Sequence, residues 1–245
     1  MANTTPQPDT SRYKIVKFFN KPIVDQILKE ASDKPLVEGS GTLQGPSSIT
    51  RIAKALKKNR EYGGQEFSNY IYSLSGPEFN LDWARFTKPK GMSNVIYSSM
   101  RKGDYYKPHI DGGDLGHFST TIFLNNPKTY VGGELELLID GELKPFKLRP
   151  GYGVVYETGT PHQVKEVISG ERKVLVFWTT SLISNMLDLY SYRAWEAYGM
   201  KQLANKNENF YPSSPEDVAE TLEEFMEKKP VKALAEMNII HRKYL

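Results

Sequence analysis

The sequence contains a His-x-Asp pair, His109 and Asp111, in a segment that is typical of a β-strand. Residues two apart on a strand point to the same face of the sheet, so both side chains can reach one metal ion. A single pair of this kind arises often by chance. Taken alone, it favours a structural histidine over a metal ligand.

A second histidine, His162, begins a later predicted strand and can complete a set of two imidazoles and one carboxylate. Such a set occupies one face of an octahedron and leaves three positions open, so Fe(II) can bind a bidentate co-substrate together with O2. Zinc usually prefers a closed tetrahedron or a single open position. The chain has no cysteine, which excludes thiolate zinc sites, disulfides and a cysteine nucleophile. The set therefore favours iron, and zinc remains the alternative.

Arg172 lies on the next predicted strand and is a candidate anion site. Period-two alternation places it on one face with Val174, Val176 and Trp178. If that face is the barrel interior, Arg172 is a buried cation in need of an anion. The distal carboxylate of 2-oxoglutarate needs a permanently charged, fork-shaped donor, which a guanidinium provides. Lys173 then points outward, so Arg172 is preferred over Lys173.

Short runs rich in Val, Ile, Tyr, Phe and Thr, separated by Gly, Pro, Asn and Asp, extend from about residue 93 to residue 182. This pattern predicts strands near residues 93–100, 105–111, 118–124, 133–139, 143–148, 152–157, 162–168 and 172–180. Eight strands without intervening helices favour a double-stranded β-helix, or jelly roll. The predicted fold class is mainly β with flanking helices.

Four regions are predicted in chain order. A disordered leader spans residues 1–12, an N-terminal strand and supporting helices span 13–92, the jelly-roll core spans 93–182, and C-terminal helices span 183–245. Asn20 is an expected N-cap for a helix over residues 21–32. Ser214 and Pro215 predict the start of a later helix, which Pro230 ends.

A basic segment at residues 49–59 is predicted to be helical. Its cations, Arg51, Lys54, Lys57 and Lys58, indicate a solvated helix face, with a substrate-binding patch as the alternative. The formal net charge of +3 is too small to argue for nucleic acid or membrane binding. The polar N-terminus has no apolar core of a signal peptide, and no run approaches transmembrane length. A soluble, cytoplasmic protein is expected.

The ordered combination of motifs resembles the prolyl-4-hydroxylase-like dioxygenases, and within them the bacterial PKHD-type hydroxylases. The similarity runs from about residue 97 to residue 183 and is weaker in the flanking helices. It is carried by Tyr97, Tyr106-x-x-His109-x-Asp111, Asn125-x-Pro127-x-x-Tyr130-x-Gly132-Gly133-Glu134-Leu135, Pro161-His162-x-Val164 and Gly170-x-Arg172.

The resemblance implies a role for each matching residue. His109, Asp111 and His162 would be iron ligands, and Arg172 would bind the 2-oxoglutarate carboxylate. Tyr97 matches a position that often hydrogen-bonds the co-substrate, with simple packing in the barrel as the alternative. Tyr106 and Trp178 are candidates for the substrate pocket, and core packing is the alternative for Trp178. The two glycines of the Gly-Gly-Glu-Leu run would serve backbone geometry.

Two further histidines are expected to take no part in the metal site. His117 lies in a glycine-rich loop that also holds Asp114, and such a loop is a poor scaffold for fixed metal geometry. The loop is instead expected to border the substrate entrance. His241 lies in a basic tail and is expected to be solvated.

The function that the resemblance implies is hydroxylation of a C–H bond of a prolyl residue in a peptide or protein. Fe(II), 2-oxoglutarate and O2 would be required, ascorbate would be supportive, and succinate and CO2 would be released. Hydroxylation of another side chain or of a small molecule is an alternative. A non-catalytic jelly-roll binding module is a second. A nucleic-acid demethylase is a third, supported only by the basic segment. Monomer and homodimer both stay open.

Overall fold

The computed structural model describes residues 10–39, 56–74, 81–112, 115–204 and Lys243. The chain divides into two compact units, of which the larger is Arg12–Ser181. Most of the predicted leader, the helix predicted to start at Ser214, and His241 lie outside the described residues.

The larger unit contains fifteen strands among its described residues. In chain order they are β1 (Tyr13–Lys17), β2 (Val37–Glu38), β3 (Lys57–Lys58), β4 (Arg60–Gly63), β5 (Pro89–Met92), β6 (Ile96–Arg101), β7 (Tyr105–His109), β8 (Phe118–Phe123), β9 (Val131–Gly132), β10 (Leu135–Ile139), β11 (Glu142–Phe146), β12 (Tyr152–Glu157), β13 (His162–Val164), β14 (Val167–Ser169) and β15 (Glu171–Ser181).

These strands form the two main sheets of a jelly roll. One sheet has the order β1-β12-β8-β15-β6-β4-β2, with β5 added beside β15, and the other has the order β11-β10-β13-β7-β3. Strands β9 and β14 form a separate pair. The pairings are antiparallel, as a jelly roll requires. The core draws on both sheets, with buried Met100, Phe123, Leu135, Leu137, Phe146, Val154 and Val174.

The described residues of this unit include three α-helices, α1 (Lys21–Ser32), α2 (Gln65–Leu74) and α3 (Leu81–Thr87), and a short 3-10 helix at Pro127–Thr129. The start of α1 is as predicted, because the Asn20 side chain accepts a hydrogen bond from the Ile23 amide at 3.1 Å. Val24, Ile27 and Ala31 are buried along one side of this helix.

The jelly roll and the eight predicted core strands are confirmed, with differences in detail. The predicted strand at 162–168 is split into β13 and β14, which lie in different sheets. The helix predicted for residues 49–59 is wrong at its described end, where Lys57 and Lys58 form β3 against β7. Pairing with the open edge of β7 satisfies backbone groups there and outweighs the helix propensity of lysine.

The smaller unit contains one long described helix, α4 (Met186–Ala204). Asn185 caps it, since its side-chain oxygen accepts from the amides of Leu187 and Asp188. Arg193, buried on this helix, donates to the Ser11 carbonyl oxygen at 3.2 Å. Among the described residues, no helix combines the length and apolar character needed to cross a membrane.

Candidate active site

Strand pairing brings the predicted metal ligands together. His109 ends β7, and its direct cross-strand partner on β13 is His162. Asp111 follows two residues after His109, and its Oδ1 lies 3.6 Å from Nε2 of His109 and 3.8 Å from Nε2 of His162. One ligand atom from each residue falls within 4.8 Å of the others. Two imidazoles and one carboxylate therefore converge on one point.

Backbone carbonyls fix the orientation of both imidazoles. Nδ1 of His109 lies 2.8 Å from the Lys107 carbonyl oxygen, and Nδ1 of His162 lies 2.9 Å from the Thr160 carbonyl oxygen. A carbonyl only accepts, so each Nδ1 carries the proton and each Nε2 presents its lone pair. This is the tautomer that a metal-binding histidine needs.

Two hydrogen bonds orient the Asp111 carboxylate. Its Oδ2 accepts from the Trp178 indole and from the Ser119 hydroxyl, both at 2.9 Å. Burial alone would raise the pKa of Asp111, but the two imidazoles and these two donors lower it below its ordinary value. Burial lowers the pKa of His162. A charged carboxylate and a neutral imidazole are the states that bind a metal.

The donor set fits Fe(II). Nε2 of His109 is buried and has no hydrogen-bond partner among the described residues. Since buried polar atoms normally have a partner, a bound metal ion would satisfy its lone pair. Two nitrogens and one carboxylate oxygen suit a ferrous ion with open positions. His109, Asp111 and His162 are therefore the residues that could hold iron.

Arg172 lines the same cavity, whose volume is about 220 Å³. It is 2% exposed, and its Nε has no hydrogen-bond partner among the described residues. Its Nη1 meets only the Met100 sulfur, at 3.8 Å, and its guanidinium lies 5.4 Å from the centre of the Phe123 ring. Burial lowers the pKa of Arg172 to about 10, so the group stays charged at neutral pH. A buried cation with such weak partners is suited to binding an anion.

Two tyrosines neighbour Arg172. Tyr156 lines the cavity, its ring lies edge-on to His162 at 5.3 Å, and burial raises its pKa well above the ordinary value. Tyr130 is buried, and its hydroxyl has no partner among the described residues. Both hydroxyls are near enough to Arg172 for their charge state to affect its pKa. They can donate hydrogen bonds to an anion bound there.

Gly133 leaves room for the stem of Arg172. A Cβ at this position would lie 3.1 Å from Cδ of Arg172 and 3.2 Å from the Tyr130 ring. The backbone there has φ +69°, which side chains other than glycine rarely adopt. The Gly-Gly run thus has the geometric role that the sequence predicts, and it also supports the anion site.

Tyr97 is not brought to the cavity. Ile96, Ser98 and Met100 of β6 line it, and alternation along the strand places Tyr97 on the opposite face of the sheet. Tyr97 is buried there, and burial raises its pKa to about 12. This placement does not support the co-substrate contact expected of Tyr97, whereas Tyr156 lines the cavity.

The other candidates lie as follows. Tyr106 and Trp178 both line the cavity, and the Tyr106 ring stacks on His109 at 3.6 Å. His117 is turned away, because its Nδ1 accepts from the Ser181 amide at 3.0 Å. Leu115, of the same loop, reaches the cavity lining, and Asp114 lies outside the described residues.

The sequence interpretation missed Tyr156 and Ser119. Alternation along β12 and β8 could have placed both on the inner face, but without the pairing of β12 with β8 nothing linked them to Asp111. For Lys57 it held a substrate-binding patch only as the alternative, and it missed that Asn59 and Glu61 line the cavity beside it.

Comparison with known proteins agrees with this site. The model of the 2OG-Fe(II) oxygenase superfamily matches residues 94–180. A PKHD-type hydroxylase of Maricaulis maris is 34% identical over 157 residues, which are 61% of this chain and 71% of that protein. A prolyl-4-hydroxylase structure from Pseudomonas putida shares the fold, with a TM-score of 0.53 and 17% identity over 70% of this chain and 94% of that one. A Trichoplax adhaerens prolyl hydroxylase, solved with a peptide fragment of hypoxia inducible factor, has a TM-score of 0.50 and 13% identity over 70% and 84% of the two chains.

The fold and the superfamily match define a 2-oxoglutarate-dependent, Fe(II)-dependent dioxygenase. Within that class, the chain belongs to the PKHD-type hydroxylases, because it is more than 30% identical to a member over more than two thirds of that member's length.

Proposed function

We propose that His109, Asp111 and His162 hold Fe(II), that Arg172 holds the distal carboxylate of 2-oxoglutarate, and that the enzyme hydroxylates a prolyl residue in a peptide or protein. The observation that carries the proposal is the presence of the three converging ligand atoms and the buried Arg172 in one cavity. 2-Oxoglutarate carries two carboxylates, so one could bind at the metal while the other pairs with the guanidinium of Arg172.

The stoichiometry follows from the class. One O2 supplies the hydroxyl oxygen and one oxygen of succinate, while 2-oxoglutarate loses CO2. Bound Fe(II) supplies the activation of O2, which otherwise reacts slowly with closed-shell molecules. The chain's own residues orient the reactants and exclude water from the cavity.

Residues that line the cavity and residues packed beside it divide this work. Arg172 charge-pairs with the co-substrate, and the hydroxyls of Tyr156 and Tyr130 donate to it. Trp178 and Ser119 hold Oδ2 of Asp111, so that Oδ1 faces the metal.

The prolyl substrate is supported by the relatives. The Pseudomonas putida neighbour is a prolyl-4-hydroxylase, and the Trichoplax adhaerens neighbour was solved with a peptide. Another side chain or a small molecule is the competing substrate class.

The test measures succinate formed from 2-oxoglutarate with Fe(II) and ascorbate, together with a gain of one oxygen in candidate peptides by mass spectrometry. Asp111→Ala should lower turnover by more than about 100-fold, since loss of a ligand exceeds loss of an outer-shell partner. Omission of ascorbate should reduce repeated turnover more than the first turnover.

Three results would count against parts of the proposal. If a free small molecule gains oxygen and no peptide does, the substrate is a small molecule and not a prolyl peptide. Succinate formation that survives Asp111→Ala would remove the metal assignment. No succinate from the wild-type enzyme would favour a non-catalytic binding module.

A further inference from the structure

The segment from β3 to β4, residues 57–63, crosses between the two main sheets and is called the crossing strand below. Its first part pairs with β7 of the five-stranded sheet, and its second part pairs with β6 of the eight-stranded sheet. It forms a polar wall of the metal-site cavity, to which alternate residues contribute: Lys57, Asn59 and Glu61.

Lys57 lies one aromatic ring away from the metal site. Its ammonium is 5.2 Å from the centre of the Tyr106 ring, and that ring stacks on His109 with 3.6 Å between centres. The Lys57 side chain is 10% exposed. A ligand group that contacts Lys57 would therefore sit beside the reacting centre.

Glu61 and Asn59 hold the Lys57 ammonium in place. Nζ of Lys57 lies 2.6 Å from Oε1 of Glu61, and the Asn59 amide donates to the same oxygen at 2.7 Å. The Asn59 amide also donates to the Ser98 hydroxyl at 2.8 Å. An ammonium has three N–H donors and Oε1 of Glu61 accepts one, so Lys57 can donate further.

The charges that line the cavity balance. Among the described lining residues, Lys57 and Arg172 are cations, and Glu61 and Asp111 are anions. Fe(II) and the 2-oxoglutarate dianion add equal and opposite charge. A substrate group with a net charge would be buried without a counter-charge, which is costly, whereas a neutral amide would not be.

We propose that Lys57 donates a hydrogen bond to a backbone carbonyl oxygen of a substrate peptide, with Glu61 and Asn59 as positioning residues, and that this wall selects an uncharged peptide segment over a free amino acid. The inference rests on the proposed hydroxylase function and identifies the residues of the site that would recognise the substrate.

The test uses the full-length protein loaded with Mn(II) and 2-oxoglutarate without oxygen. Three mixtures are offered: proline-centred pentapeptides with acetylated and amidated ends, blocked pentapeptides without proline, and the free amino acids. Retained ligands are identified by mass spectrometry. We expect wild-type protein to retain blocked peptides at least tenfold better than any free amino acid.

Lys57→Met should lower peptide retention at least tenfold. Lys58→Met is the matched control, because Lys58 is 61% exposed and pairs with Asp104, and it should retain peptides as wild type does. Three outcomes would overturn the proposal. They are retention of free amino acids as strong as that of peptides, failure of the wild-type protein to retain any peptide, and equal peptide retention by Lys57→Met and wild type. The preference of the wild-type protein needs no variant, so a variant that misfolds does not block the test.

Glu61→Gln tests the charge argument separately. It keeps hydrogen-bond capacity at the position but leaves the cavity with one extra positive charge. A fourth mixture holds the same pentapeptides with a free C-terminal carboxylate. The preference of the wild-type protein for amidated over free-acid peptides should shrink at least tenfold in Glu61→Gln, and an unchanged preference would contradict the charge balance. Succinate formation by the wild-type enzyme without peptide reports on the proposed function alone, so the two failures can be told apart.

Discussion

The indole N–H of Trp178 and Oδ2 of Asp111 are joined by a hydrogen bond of 2.9 Å that links β15 to a residue two positions beyond the end of β7. Ser119 on β8 donates to the same oxygen. Asp111 lies outside a regular strand, and these two donors keep its other oxygen directed at the imidazoles. The geometry of the proposed metal site thus depends on residues that are not themselves candidate ligands.

Trp178→Phe should weaken Mn(II) binding by about 10–100-fold, the usual effect of losing an outer-shell partner. Titration calorimetry measures it. Trp83→Phe is the control, because the buried Trp83 packs on Phe177 and does not line the cavity. Equal metal affinity in Trp178→Phe and wild type would show that the indole does not orient the carboxylate.

Arg172→Met should weaken 2-oxoglutarate binding by at least about 100-fold, since a buried charge-assisted pair is lost. Without co-substrate, the same change should raise the free energy of unfolding by about 1–4 kcal/mol, because a poorly partnered buried cation is replaced by an apolar chain. Calorimetry and urea denaturation measure the two effects. Lys173→Met is the control. The Lys173 side chain pairs with Glu171, and its replacement should change neither the 2-oxoglutarate affinity nor the stability by much.

Gly133→Ala should raise the 2-oxoglutarate concentration needed for half-maximal turnover, because the new methyl group presses on Arg172. Gly141→Ala is a matched control: its φ is +83°, but nothing lies within 4 Å of the added Cβ. Both variants should lose about 1–3 kcal/mol of stability from backbone strain. Only Gly133→Ala should change the co-substrate requirement, and a shift of equal size in the two would contradict the role of Gly133.

Metal affinity should be constant from pH 8 to pH 7 and weaken in more acidic solution. Burial lowers the pKa of His162 below its ordinary 6.5, so its imidazole is already neutral at pH 7. As the pH falls through that lowered pKa, the ring gains a proton and competes with the metal. Mn(II) titrations between pH 5.5 and 8 measure this, and a steady decline beginning at pH 8 would disagree.

The candidate ligand set could be predicted from the sequence because much of its geometry is local. Alternation correctly placed Arg172 on the cavity face of β15 with Val174. The strand predicted for residues 105–111 ends at His109, so Asp111 comes close to His109 through the backbone just beyond β7 and not through alternation along a strand. The convergence of His162 depended on register across two strands, which only the resemblance supplied.

For Tyr97, the local sequence pattern does not indicate which face of its strand lines the cavity. Four consecutive residues of β6, from Tyr97 to Met100, are buried, so neither face of that strand is distinguished by exposure. The inner face was decided by pairing with β15 and β4. Lys57 is a similar case. Its positive charge favoured a solvent-exposed position in the prediction, but pairing of β3 with β7 places the residue at the wall of the cavity.

The crossing strand carries none of the groups assigned to iron or to 2-oxoglutarate. If Lys57 contacts the substrate as proposed, substitutions within this seven-residue stretch would alter target recognition while the residues proposed to hold iron and 2-oxoglutarate stay the same. Exchange of the stretch between related hydroxylases would then change the preferred target and leave succinate formation in place.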